Sequence, residues 1–209
     1  MIGIFGGTFD PVHYGHLQPV QDVYESLGLE KVLFIPNNIP PHRAQPVLGA
    51  AQRVELLQLA LMGREGFELD LRELTRSGPS YMVDTLISLQ QDYPGQTLLL
   101  IVGMDALAGL TGWSRWQQLF DLCHIVVTTR PGHELPSGLD EEITSRLTED
   151  AGHLAMSPAG RILLKSASLL DISSSEIRRR TEAGDTASDL MPEAVYQKYR
   201  EIMGLYAQS

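Results

Sequence analysis

Cysteine is almost absent: Cys123 is the only one in 209 residues. That excludes an internal disulfide and a cysteine-built metal site. Positive charge is scarce as well. The chain has 16 Lys and Arg against 26 Asp and Glu, for a formal net charge of −10. Such a balance argues against a nucleic-acid polymer as partner. It leaves room for a small anionic nucleotide held by a local basic patch. Long apolar runs are missing, and no stretch approaches the roughly 20 residues that cross a bilayer, so no membrane partner is expected. A leader pattern is missing too: Met1 runs straight into a strand-like stretch, and the cytoplasm is the expected compartment. The length suits one domain with a sizeable core.

The chain is organised around residues 3–16, Gly-Ile-Phe-Gly-Gly-Thr-Phe-Asp-Pro-Val-His-Tyr-Gly-His. Residues 1–5 form a short apolar run that reads as a buried strand. Gly6 and Gly7 break it with a tight turn. Apolar residues return with helical spacing at Leu17, Val20, Val23, Tyr24 and Leu27. Strand, glycine turn and helix together aim unpaired N–H groups at the space above the strand end, where an anion is favoured. His13 and His16 lie at the helix start. Two imidazoles there can hydrogen-bond phosphate oxygens and, when protonated, carry positive charge. Neither the P-loop lysine nor the G-x-G-x-x-G spacing is present.

The string from Gly6 to His16 resembles the T/H-x-G-H signature of nucleotidyltransferases, and in its full length the nicotinate mononucleotide adenylyltransferase family. The resemblance implies an α/β fold: a Rossmann-like open parallel sheet with helices on both faces, of nucleotidyltransferase type. It implies one such domain over residues 1–209, with a small C-terminal helical part from about 173. Further matches follow in order along the chain.

Lys31–Pro36 is a second strand, completing a β-α-β unit. Residues 36–43 are a loop rich in breakers, at whose far end lie His42 and Arg43. It reads as a stiff basic loop over a phosphate site or as a solvated surface loop. The family has Pro-Pro-His-Lys here, so this chain replaces a point charge with a guanidinium fork. A helix is expected over 50–62, with Val54, Leu57 and Leu61 inward and Arg53 solvated. Residues 67–70 read as a strand and 71–78 as irregular. Ser80 reads as the N-cap of a helix through 91. The run Ser80-Tyr81-Met82-Val83-Asp84-Thr85-Leu86 is similar to a family stretch near the pyridine ring, which points to Tyr81 and Thr85 and turns Asp84 away from the ring.

Residues 97–102 lack alternation and suit a central parallel strand. Gly103-Met104-Asp105 matches the family's Gly-x-Asp on the nucleotide side. Trp113 falls eight residues later, at the family's spacing for a tryptophan that stacks on nicotinate. Trp116 is read as packing, with both tryptophans on one helix face that continues through Leu119 and Leu122. His124–Thr129 is the next strand, with Cys123 buried beside it. Arg130-Pro131-Gly132 is read as loop structure. A helix over 139–147 and short strands at 162–164 and 169–172 are expected. Ile172 to Arg178 matches the family's Ile-Ser-Ser-x-x-Ile-Arg. Ser173 and Glu176 fit a capping box, and Ser174 and Arg178 add to a second anion site. Pro192 opens a final helix through 203.

What the resemblance implies is transfer of the adenylyl group of ATP to nicotinate mononucleotide. Nicotinate adenine dinucleotide and pyrophosphate form by direct attack, with no covalent enzyme intermediate. His16, His13 and Arg178 would act on the reacting phosphates. Gly7, Thr8, Phe9, His42, Arg43, Asp105, Ser173 and Ser174 would hold ATP, and Tyr81, Thr85 and Trp113 the nicotinate. Mg2+ would bridge ATP phosphates with no dedicated protein cage. Acceptance of nicotinamide mononucleotide or pantetheine phosphate stays open, as does a non-catalytic nucleotide sensor. An oxidoreductase lacks both the glycine spacing and a hydride-transfer site.

Overall fold

The computed structural model describes residues 1–38, 45–130 and 135–204. His42 and Arg43, with the rest of the loop from Ile39, lie outside the described residues, as do Pro131, Gly132 and His133. Seven parallel strands form one sheet in the order β3-β2-β1-β4-β5-β7-β6. They are β1 (Ile2–Gly7), β2 (Lys31–Pro36), β3 (Phe67–Leu69), β4 (Leu98–Gly103), β5 (His124–Thr129), β6 (Leu147–Thr148) and β7 (Ile162–Ser166). Ile4 pairs with Leu33 on one side and Leu100 on the other. The chain therefore leaves β1 in both directions, and the β1/β4 boundary is the switch point at whose carboxyl end open α/β sheets bind ligands.

Helices cover both faces. They are α1 (Tyr14–Leu27), α2 (Ala50–Leu61), α3 (Arg72–Thr75), α4 (Met82–Asp92), α5 (Met104–Ala108), α6 (Leu119–Leu122), α7 (Glu141–Thr144), α8 (Ser174–Glu182) and α9 (Glu193–Ile202). One core layer joins Leu17, Val20, Leu57, Ile177 and Val195 to Val32, Phe34, Leu99 and Ile101 of the sheet. The other joins Val83, Leu86, Leu119 and Phe120 to Ile2, Ile4, Leu100 and Ile125. Alternate strand residues thus feed opposite layers, as the pleat requires. The continuous apolar runs are what a sheet buried on both faces needs. No helix among the described residues is long and apolar enough to cross a membrane.

Several expectations are corrected. Gly6 and Gly7 do not break the first strand with a turn; they are its last residues, paired with Ile35 and Pro36, and the turn begins after them. Residues 71–78 are not wholly irregular, since they include α3. The cap of α4 is Tyr81, not Ser80; the Ser80 hydroxyl instead accepts from the Asn38 N–H at 3.0 Å. The buried face of α2 is Arg53, Leu56, Leu57, Ala60 and Leu61, rotated from the expected one. The tryptophans do not share a helix face. After α5 come two 3₁₀ turns, Leu110–Gly112 and Trp116–Gln118, separated by the left-handed Arg115 (φ +55°). The expected helix over 139–147 shrinks to α7 and ends in β6, which pairs with β7. Residues 169–172 are no strand; the N–H groups of Leu169 and Ile172 bond back to the carbonyls of Ala167 and Leu170.

Candidate active site

The turn after β1 is built around a buried phenylalanine. Phe9 is 1% exposed and has φ +51°, a conformation that L-residues adopt only when their surroundings dictate it. Its ring packs against Phe5, Phe34 and His16 at centroid distances of 5.8, 6.2 and 5.3 Å. Gly7 must lack a side chain, because a Cβ there would lie 3.0 Å from that ring.

Beneath the turn sits Arg53, 1% exposed, where a solvated side chain was expected. Its Nη1 donates to the Thr8 carbonyl at 2.7 Å and its Nη2 to the Asn37 carbonyl at 2.9 Å. Asn37 also donates from Nδ2 to the Thr8 hydroxyl at 3.2 Å and from its backbone to the Gly7 carbonyl at 3.0 Å. One guanidinium therefore ties the ends of β1 and β2 together. Burial lowers the Arg53 pKa, and the nearby Asp10 carboxylate opposes that. A charge on the apolar face of a helix was the available signal, since Arg53 shares the spacing of Leu56, Leu57 and Ala60.

His13 caps α1 and is 4% exposed. Burial drives its pKa down to about 4, so at neutral pH it is uncharged and the charge it would carry when protonated is not available there. Its ring lies against that of His16, with centroids 3.8 Å apart. The His13 N–H donates to Nδ1 of His16 at 3.3 Å. An acceptor Nδ1 puts the proton of a neutral His16 on Nε2. Gly15 lets the rings close up: a Cβ there would be 2.9 Å from His13 Nδ1 and 3.1 Å from the Ile172 carbonyl.

The start of α8 is stitched to the same turn. The Ser174 hydroxyl donates to the Pro11 carbonyl at 3.0 Å. Arg178 donates from Nη1 to the Asp10 carbonyl and lies 3.5 Å from its Oδ2. Asp10, buried, also accepts from the N–H groups of Val47 and Leu48 at 2.9 Å each. Ser173 accepts from the Glu176 N–H at 3.2 Å. Only that half of the expected capping box forms. The Glu176 carboxylate turns to Arg179 and Arg180, whose hydrogen bonds pull its pKa down to about 2. Gly7, Thr8, Phe9, His13, His16, Ser173, Ser174 and Arg178 are thus brought together.

A second group of candidates lies at α4 and the turns after β4. Tyr81 and Trp113 are half-buried, and Asp105 is exposed in the first turn of α5. Thr85 is fully buried, and its hydroxyl donates to the Glu73 carboxylate at 2.6 Å. It faces the protein interior and so positions α4 instead of offering a hydroxyl to a ligand. Glu73 is itself buried, which raises its pKa against the opposing hydrogen bonds of Thr85 and Ser80. Asp84 turns to Arg115, Oδ1 to Nη2 at 2.8 Å. Beyond the ends of β5 and β7 opens a depression of roughly 590 Å³ lined by Asp22, Arg130, Ser166, Ser168 and Asp171. Among the described residues no cluster of three or more His, Cys, Asp or Glu side chains is arranged to hold a metal ion.

Residues 4–180 match the Cytidylyltransferase-like family. Two relatives carry the name "Probable nicotinate-nucleotide adenylyltransferase". The one from Yersinia pestis is 43% identical over 99% of this chain and 95% of its own length. The one from Halorhodospira halophila is 46% identical over 96% of this chain and 93% of its own. Plasmodium falciparum nicotinic acid mononucleotide adenylyltransferase, solved in complexes with APC and with NaAD, matches with a TM-score of 0.71 in both. The identities are 15% and 17%, and the matches cover 97% and 96% of this chain and 95% of that one. At that identity the likeness speaks for the fold. Identity of 43% and 46% over nearly the full length, in a chain that carries the whole Gly6–His16 string and the Ile172–Arg178 motif, makes it a member of the nicotinate-nucleotide adenylyltransferase family.

Proposed function

We propose that this protein transfers the adenylyl group of ATP to nicotinate mononucleotide, giving nicotinate adenine dinucleotide and pyrophosphate. The observation that carries the reading is the convergence of the β1 turn with the starts of α1 and α8, joined through Asp10, Pro11, Ser174 and Arg178. Two helix starts and the turn after β1 make a site for anions. The chain's one thiol is no rival centre of covalent chemistry: Cys123 is fully buried and its pKa is pushed up to about 12.

In the reaction a phosphate oxygen of the mononucleotide bonds to the α-phosphorus of ATP. The bond from that phosphorus to the α–β bridging oxygen breaks, and the electron pair leaves with pyrophosphate. The attacking oxygen is already ionised, so no general base is needed. Rate enhancement comes from alignment and from donors aimed at growing phosphate charge. His16 offers its Nε2–H, and neutral His13 holds that ring in place. Arg178 offers its guanidinium, with Asp10 fixing its position. N–H groups around Gly7, Thr8 and Phe9, and the hydroxyl-rich start of α8 at Ser173 and Ser174, cradle the phosphates. Asp105 faces the nucleotide sugar, and the depression beside Arg130 has room for the nucleoside. Tyr81, Trp113 and α4, the last positioned by Thr85, receive the pyridine. Magnesium, when bound with ATP, would supply charge neutralisation at the phosphates, and Asp105, exposed at the start of α5, would help orient its water shell.

The test is product formation from ATP and magnesium with each acceptor in turn. Nicotinate adenine dinucleotide and pyrophosphate should appear in equal amounts. Turnover of pantetheine phosphate or nicotinamide mononucleotide in preference would give the site to another acceptor. ATP binding without turnover of any acceptor would make the protein a sensor.

A further inference from the structure

The first turn of α4 presents a difficulty to a carboxylate-bearing substrate. Asp84 stands there, three residues from the half-buried Tyr81. An acid near the pyridine ring repels a ring carboxylate and accepts from a ring amide. Taken alone, Asp84 would favour the wrong mononucleotide.

The structure supplies a counter-charge from another part of the chain. Arg115 lies 31 residues beyond Asp84 and two residues after Trp113. Its Nη2 is 2.8 Å from Asp84 Oδ1, and its guanidinium carbon is 5.9 Å from the centre of the Tyr81 ring. The Arg115 backbone is left-handed, at φ +55° and ψ +38°, between the two 3₁₀ turns. That conformation is uncommon for a residue with a side chain. It follows the extended Trp113 (ψ +143°), on a path that brings the Arg115 side chain to α4. One side chain thereby joins the Trp113 segment to the Tyr81 segment, the two elements assigned to the pyridine. Both ends of the pair are partly exposed, 44% for Arg115 and 37% for Asp84, so the guanidinium keeps donors to offer beyond Asp84. A second cation stands on the same turn: Arg76 donates from Nη2 to the Asp84 carbonyl at 3.4 Å.

We propose that Arg115 sets the choice between the acid and the amide form of the pyridine mononucleotide. It cancels Asp84 and leaves the first turn of α4, at the positive end of the helix, attractive to a carboxylate. This rests on the reading that the Tyr81–Trp113 end of the cleft receives the pyridine.

The two partners of the pair should then act in opposite directions on selectivity. A unit charge about 7 Å from a carboxylate, partly screened by water, changes binding about tenfold. Arg115→Gln removes the ion-pair partner of the Asp84 carboxylate. The ratio of kcat/KM for nicotinate over nicotinamide mononucleotide should fall about tenfold. Asp84→Asn leaves Arg115 unopposed, and the ratio should rise, about threefold or more. The double variant should return near the wild-type ratio. These are surface substitutions, and a melting curve for each checks that the fold is kept. Shifts of the ratio in the same direction for both single variants, or an unchanged ratio in all four proteins, would reduce the pair to a structural tie and overturn the inference. A wild type that adenylylates neither mononucleotide overturns the acceptor reading, and this inference with it.

Discussion

Replacing Arg53 by methionine removes a donor pair that two buried carbonyls depend on. The side chain is nearly isosteric along its stem and keeps the packing against Leu56 and Leu57. It loses the bonds to Thr8 at 2.7 Å and Asn37 at 2.9 Å. A hydrogen bond from a charged donor contributes about 1.5–3 kcal/mol, and each stranded carbonyl costs about 1–3 kcal/mol. Against this, the variant no longer buries a guanidinium, whose desolvation already lowers its pKa. The net loss should be about 3 kcal/mol. Arg53→Lys keeps the charge but reaches one carbonyl, and should lose about half as much. Urea unfolding followed by the fluorescence of Trp113 and Trp116 measures both. The same variants should lose kcat/KM for ATP by about a hundredfold for methionine and tenfold for lysine, because 2.7 kcal/mol corresponds to a hundredfold. KM for the mononucleotide should change less, since Arg53 braces the phosphate turn and not the α4 side. A methionine variant within 0.5 kcal/mol of wild type, at full turnover, would refute the claim that this guanidinium holds the turn.

His13 should make stability depend on pH. Its folded pKa of about 4 lies below the unfolded value of 6.5, so the unfolded chain binds a proton first as pH falls. The stability held at pH 7 is lost as pH drops through 6.5 towards 4, by up to about 3 kcal/mol. Unfolding midpoints of wild type and His13→Gln at pH 7 and pH 5 should converge at the lower pH, and parallel pH dependence would contradict the assignment. His16→Ala should lower kcat at least a hundredfold with little change in mononucleotide binding, as loss of a donor used mainly in the transition state requires. Near-normal turnover would remove His16 from the chemistry. Arg178→Ala should raise KM for ATP and lower kcat, with Arg178→Lys recovering only part, because lysine lacks the fork that meets Asp10 and phosphate together. Full recovery would mean that only general charge matters at that position.

Much of the architecture was legible because it is written in local pattern. The apolar runs within Lys31–Pro36 and residues 97–102 read correctly as interior parallel strands, whereas Gly6 and Gly7, read as a turn, are the last paired residues of β1. The misreadings share a cause: they concern side chains whose partners are distant in sequence. Arg53 reads as a solvated charge until Thr8 and Asn37 are placed beside it. Thr85 reads as a ligand contact until α3 delivers Glu73 to its hydroxyl. His13 reads as able to carry charge until its burial against the His16 ring and beside Gly15 removes its water. Trp113 and Trp116 read as one helix face, because spacing does not register the extended backbone of Trp113 or the left-handed Arg115. The short pairing of β6 with β7 is likewise a tertiary choice, with only Leu147 and Thr148 to signal it.

Direct transfer between two bound phosphates is the central claim, and the stereochemical course at the α-phosphorus tests it most directly. The enzyme is given ATP carrying a single chiral α-phosphorothioate, with nicotinate mononucleotide and magnesium, and the configuration of the resulting dinucleotide is determined. One in-line displacement inverts the phosphorus. The account predicts a nicotinate adenine dinucleotide thio-analogue of inverted configuration, with no exchange of labelled pyrophosphate into ATP when the mononucleotide is left out. Retention of configuration, or pyrophosphate exchange without the acceptor, would reveal an adenylylated enzyme and contradict the account.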